Sequence, residues 1–333
     1  MRRLLVLLGL LLAVVLVPQR AGAAPDYRDF GFIFNRAKED NAFNSLVLGE
    51  VLRFERDNDI KVRQRVVAGA EETETALRSL AERGVGNILM VGFMHAEVLS
   101  RVAPDFPEIR FTIVDGRVDA PNVRSILFRE EEAGYLVGVA AGLTTRTGRL
   151  GFVGGLKIPP VQRFGCGFLQ GARSVNPGVV MDARYIAVED DGFRDRTAAA
   201  RLAEELLAGG ADILFAAAGT AGYGALEAAA VAGRIGIGVD ANQNGLHPGR
   251  VLTSALKRVD VAVARTLEDH LDGGWTAGTT TLGLAEGGVG WARDEHNEAL
   301  VAPIAEQVEA ARQAVAEARV QVGDIASTPG CGP

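Results

Sequence analysis

Cysteine, histidine and aromatic residues are scarce in this 333-residue chain, and each shortage excludes something. Two cysteines, Cys166 and Cys331, cannot build a disulfide scaffold. Four scattered histidines, His95, His247, His270 and His296, show no metal-ligand spacing, and no metal or cofactor is expected. The chain has no G-x-G-x-x-G after a strand pattern, no G-x-x-x-x-G-K-[ST] and no G-x-S-x-G. Basic residues are also short: 35 stand against 42 acidic ones, a formal charge of −7 with no basic patch, which argues against nucleic acid. Polarity is not in excess, because 48% of residues are hydrophobic and a mostly disordered chain is excluded. The length suggests two domains rather than one core.

One long apolar run exists, and it stands at the start. Arg2 and Arg3 precede an unbroken apolar stretch over residues 4–17, Pro18 ends it, and Ala21-Gly22-Ala23 supplies small residues for cleavage. This three-part pattern predicts a secretory signal peptide over 1–23, too short for a membrane span of about 20 residues. Loss of Arg2, Arg3 and Arg20 would leave 32 basic against 42 acidic residues, a formal charge of −10. No cysteine closes the run, so a soluble periplasmic protein is expected.

The remainder alternates short apolar runs with helical patterns. Strands are predicted at 30–34, 62–67, 88–91, 111–114, 150–153, 181–187, 213–217 and 235–239. Most are apolar on both faces of the pleat, as strands of a parallel sheet are. Helices are predicted at 72–83, with Ala76, Leu77 and Leu80 on one face, and at 197–207, with Ala199, Leu202, Ala203 and Leu206. Glycines follow both helices, where left-handed caps form. Repeated helix–Gly–strand units imply an α/β chain with two doubly wound parallel-sheet lobes. Ligands in such sheets sit beyond the carboxyl ends of the strands, which here carry Asn35, Gly92, Asp115, Gly154, Gly219 and Asp240.

Nothing assembles a nucleophile, a base and an oxyanion site, so no enzyme is expected. "GTAGYG" (219–224) follows a strand and opens a helix; its amides suit an anion or a close ligand, or only close packing. Asp40 and Asp115 are candidates for helix caps or ligand acceptors before catalysis. Cys166 in "FGCGF", at an expected helix start, and Cys331 leave a disulfide open. Lys257 follows a short strand, "VLTS", and in isolation reads as a solvated charge.

Six phrases, in order, resemble the basic membrane protein family, the PnrA-like nucleoside receptors of ABC importers. They are "DNAFNSLVLGE" (40–50), "PDFPEIRFTIVDG", the long phrase 128–172 from "FREEEAGYLVG" to "FGCGFLQGA", "GTAGYGALEAA", "IGIGVDANQN" and "VLTSALKRVD". The resemblance implies a type I periplasmic-binding fold whose lobes are joined by a three-strand hinge. It implies lobes of 25–128 plus about 258–284 and of 129–257 plus about 285–326, with a C-terminal helix at 302–320; the tail at 327–333 reads as disordered from its own residues. It implies a monomer that carries a purine-type nucleoside to an inner-membrane ABC permease. Asp40 and Asn41 would touch the ligand from the first strand–helix turn, beside Phe43 and Gly92. Asp115 would read the base edge and Phe193 would stack on the base. Gly219 and Gly222 would bring backbone close to the sugar, Asp240 would accept from the ribose hydroxyls, and Lys257 would reach them from the far side. Vicinal hydroxyls are two donors for one carboxylate, and charge-assisted bonds are the strong kind. Asp240 as a turn cap and Phe193 as core are the plainer alternatives. Ala42 stands in place of the family's Ser, and Val47 and Leu48 where relatives carry an aromatic, which leaves Phe43 or Phe93 to complete a base sandwich. A sugar or a free base is the alternative ligand, an exported nucleoside hydrolase a remoter reading, and a transcriptional regulator remoter still.

Overall fold

The computed structural model describes residues 24–38, 43–187 and 190–324. The expected signal segment, Asp40, Asn41 and the expected tail at 327–333 lie outside the described residues. The chain opens with β1 (Asp26–Asn35), α1 (Phe43–Asn58), β2 (Val62–Val67), α2 (Ala70–Glu82), β3 (Val85–Val91), α3 (Ala96–Val102), β4 (Arg110–Val114) and β5 (Val123–Phe128). It continues through α4 (Glu130–Thr144), β6 (Arg149–Leu156), α5 (Pro159–Val175), β7 (Val180–Ala187), α6 (Arg196–Ala208), β8 (Ile213–Ala217), α7 (Gly222–Val231), β9 (Ile235–Asp240) and β10 (Val251–Lys257). It closes with α8 (Val259–Leu271), β11 (Gly278–Leu282), β12 (Val289–Trp291), α9 (Glu298–Val301) and α10 (Ala305–Ala316).

Two six-stranded sheets result, ordered β11-β5-β4-β3-β1-β2 and β12-β10-β9-β8-β6-β7. All pairings are parallel except that of β12 with β10. Every residue of β3 and β8 is buried, so both faces of these strands need helices over them. The two doubly wound α/β lobes expected from the strand pattern are therefore present. The chain passes between the sheets three times, from β5 to α4, from β10 to α8 and from β11 to β12.

One buried cluster runs through both lobes, from Phe30, Phe32 and Phe34 to Phe152, Phe168 and Phe215, and two smaller clusters lie under the outer helices. Within it α4 and α5 meet through glycine. Gly134, Gly138 and Gly142 of α4 lie on the carbonyls of Phe164, Phe168 and Ala172, while Gly167 and Gly171 of α5 lie on those of Glu131 and Tyr135. Spacing of four residues puts each glycine set on one face of its helix. A Cβ at any of these positions would overlap backbone.

Cys166 sits in mid-helix, not at a helix start, because Pro159 and Pro160 occupy the first turn of α5, where a missing N–H leaves no bond unmade. Cys166 is disulfide-bonded, and Cys331, the chain's other cysteine, lies outside the described residues. The helix expected at 302–320 is shorter: α10 covers only Ala305–Ala316, and a separate short α9 ends before it at Val301. Beyond it Gln170 fastens the chain to α5, accepting from the Gly323 N–H at 2.9 Å and donating to its carbonyl at 2.8 Å. Trp275, between α8 and β11, stacks on His270 with ring centroids 5.7 Å apart and donates to Thr112 Oγ1 at 3.1 Å. Trp291 ends β12.

Candidate functional site

The carboxyl ends of the two sheets share one cavity of about 210 Å³. Phe43, Gly92 and Asp115 line it from the first lobe, and Phe193, Gly219, Asp240 and Lys257 from the second. Among the described residues these expected positions are brought together. Gly222 is not among them: it opens α7 and packs toward the Ala216 carbonyl, so its lack of a side chain serves helix–strand contact rather than a ligand.

Local geometry explains the placements. Phe43 begins α1, and Asn44 Nδ2 donates to the Asn35 carbonyl at 3.2 Å, which ties the start of that helix to the end of β1. Asp115 follows β4 and Asp240 ends β9, and both have positive φ, 66° and 63°. Left-handed backbone is costly for most residues, Asp tolerates it better than most, and it recurs at ligand sites. Phe193 lies in a single helical turn, and Thr220 Oγ1 donates to its carbonyl at 3.1 Å. Glycines make room for it: a Cβ at Gly155 would meet the Phe193 ring at 2.6 Å, and Gly219 (φ 53°) runs along the Phe193 carbonyl.

Lys257 departs most from its expected setting. It is the last residue of a strand longer than "VLTS", and its side chain is 3% exposed rather than solvated. Its Nζ donates to Asp115 Oδ1 at 2.7 Å and lies 2.9 Å from Glu130 Oε1. It also stands 5.1 Å above the Phe128 ring and 5.8 Å above that of Phe43. Burial opposes the ammonium charge, but Asp115, Glu130 and Asp240 together outweigh it and hold the Lys257 pKa above its ordinary value. Burial, partly opposed by Lys257 and reinforced by Glu130, also pushes Asp115 above the carboxylate range. The surrounding carboxylates favour the charged ammonium of Lys257, whereas burial and the neighbouring Glu130, not the cation, favour a protonated Asp115.

Sequence reasoning missed Glu130, which touches Lys257 from behind the cavity wall, and the lining residues Arg36, Met94, Phe164 and Arg194. Phe43 and Phe93, the two rings expected to complete a base sandwich, both line the cavity. Among the described residues no group of His, Cys, Asp and Glu is arranged to hold a metal ion.

A sequence profile described as "ABC transporter substrate-binding protein PnrA-like" matches residues 29–325. The chain is 30% identical over 275 residues to basic membrane protein D of Borreliella burgdorferi, covering 79% of this chain and 78% of that protein. It is 32% identical over 265 residues to an uncharacterised lipoprotein of Pyrococcus furiosus, covering 76% and 66%. A crystal structure of an ABC transporter solute-binding protein from Aeropyrum pernix K1 superposes with a TM-score of 0.77 at 26% identity, covering 88% of this chain and 92% of that one. The fold is that of type I periplasmic-binding proteins. The chain belongs to the PnrA-like family of ABC transporter substrate-binding proteins. Members of such a family bind a small solute for an ABC permease.

Proposed function

We propose that the cleft binds a purine-type nucleoside and that the protein, as an exported monomer, delivers it to an ABC permease of the inner membrane. The observation that carries this reading is the meeting in one cavity of Phe43 and Phe193, suited to the two faces of a base, with Asp115 and Asp240, suited to donors on the base and sugar. A flat heterocycle needs ring faces and a few placed acceptors, and a ribose diol offers two donors to one carboxylate. The cavity suits a small metabolite rather than a peptide. Hinge closure about the three crossings is the motion that would trap it. Among the described residues no helix is long and apolar enough to cross a membrane. The Pyrococcus furiosus relative is named a lipoprotein. Metabolic labelling with a fatty acid therefore tests release: no label is expected on this chain.

The test of the ligand is thermal unfolding of protein stripped by denaturation and refolding, measured with inosine, guanosine, adenosine, free purines and ribose. Ligand at about 100 times its Kd adds about 2.7 kcal/mol to the native state, a rise of several degrees. Nucleosides should raise the midpoint while ribose does not. Asp240→Ala should abolish the rise, and Phe193→Ala should weaken binding at least about tenfold, the order expected when a stacked ring is lost. A rise with ribose or free base alone would replace the nucleoside while leaving the family untouched.

A further inference from the structure

The first turn of α4, Glu130-Glu131-Glu132, stands where the chain first passes between the sheets, and its three carboxylates engage different parts of the molecule. Glu130 Oε1 lies 2.9 Å from Lys257 Nζ, and Glu130 Oε2 accepts from Arg163 Nε at 2.6 Å. Glu131 lies 3.7 Å from Arg163 Nε. Glu132 Oε2 accepts from the Leu284 N–H at 2.6 Å, on the third passage between the sheets. Lys257 ends β10, immediately before the second passage. The three passages are thus laced together at one level by the start of α4.

Glu130 is 0% exposed and forms no part of the cavity wall, whereas Lys257 does. Glu130 therefore acts on a ligand only indirectly, and the cavity-lining side chain it lies closest to is Lys257, at 2.9 Å. An ammonium on a four-carbon stem is a point charge with three donors and a loose tether. With Asp115 alone it would follow the first lobe. A second carboxylate behind it, itself pinned by Arg163, holds Nζ between the lobes by charge, as an ion pair at 2.9 Å without a hydrogen bond.

We propose that Glu130 is a positioning residue: it holds the Lys257 ammonium from behind the wall and thereby sets the affinity for a ligand it does not touch. This rests on the reading of the cleft as a nucleoside site in which Lys257 meets the sugar hydroxyls.

The experiment compares wild type, Glu130→Gln and, should Gln fail to fold, Glu130→Asp, with Arg124→Met as a control that breaks an ion pair at the far end of the first sheet. Calorimetric titration with inosine and with 2′,3′-dideoxyinosine is joined by NMR of the 15Nζ groups of lysine, which number only four: Lys38, Lys61, Lys157 and Lys257. Glu130→Gln should bind inosine at least about tenfold more weakly, a difference of about 1.4 kcal/mol. It should bind dideoxyinosine like wild type and should shift or lose the protected Lys257 signal. Arg124→Met should lower the melting point without changing either affinity. Unchanged inosine binding by Glu130→Gln overturns the proposal, and so does an equal loss for both ligands, which would make the role structural only. If wild type binds neither nucleoside, the functional reading falls by itself. The Lys257 resonance then decides, with an unaltered signal in Glu130→Gln counting against the pairing and an altered one for it.

Discussion

His270 is buried between the rings of Phe30 and Trp275, and neither ring nitrogen has a hydrogen-bond partner among the described residues. Burial first, then Arg124 and Arg110, hold its pKa down to about 3, while burial alone holds His95 at about 4. Unfolding returns each to the ordinary value of about 6.5, so the unfolded chain takes up protons that the native state refuses. Their contribution to stability is complete above about pH 6.5 and is lost as pH falls toward the folded values. Glu131 works in the other direction. Burial raises it to about 7, and its stabilising effect is lost as pH rises from the ordinary carboxylate range through that value. Replacing His270 by Phe isolates one histidine, because Glu131 is common to both proteins. Between about pH 7.5 and about pH 5 the variant should lose roughly 2 kcal/mol less than wild type in urea unfolding. Equal losses would reject the assignment. At this scale the site was partly legible. Asp115 and Asp240 stand at strand ends, where a parallel sheet presents ligands, and that position follows from local pattern. Glu130 was hidden because an acid in the first turn of a helix already has a reason to be there, in the helix dipole, and its partner lies far along the chain.

The helix pair α4–α5 carries the sharpest sensitivity among the elements. Gly167→Ala would drive a methyl group into the Glu131 carbonyl, which neither helix can yield without separating. A loss of about 3 kcal/mol or more is expected in denaturant unfolding, at the upper end for overpacking. Gly49, in α1, has nothing within 4 Å of its missing Cβ and no positive φ. Gly49→Ala should therefore stabilise by up to about 1 kcal/mol through helix propensity. Opposite signs from the same substitution test the packing directly. Strands buried on both faces, such as β3 and β8, announced themselves as apolar runs, and the predicted segments fall within β1 to β4 and β6 to β9, of which β2 and β7 are half-exposed edges. The strands left unread have different physics. β11 reads Gly-Thr-Thr-Thr-Leu because it is a mostly exposed edge, and β12 is three residues long. β5 carries Arg124, whose guanidinium reaches past the sheet to Asp269 and the Thr276 carbonyl and so interrupts the apolar run.

For the whole molecule, the continuity of the buried cluster through both lobes implies cooperative unfolding. Calorimetry of the ligand-free protein should give one transition with a calorimetric enthalpy equal to the van't Hoff value. Two resolved transitions would show that the lobes hold their cores separately. The two lobes also differ in a way that optical measurement can use. The chain has two tryptophans, and the sheets share them out: Trp275 is bonded to Thr112 of the first sheet, while Trp291 belongs to the second. Neither lines the cavity. Their emission is therefore free of direct contact with a guest molecule, and a pair of single-tryptophan variants would carry one lamp in each lobe. Energy transfer from Trp275 or Trp291 to a dye on the opposite lobe would time the closing of the cleft.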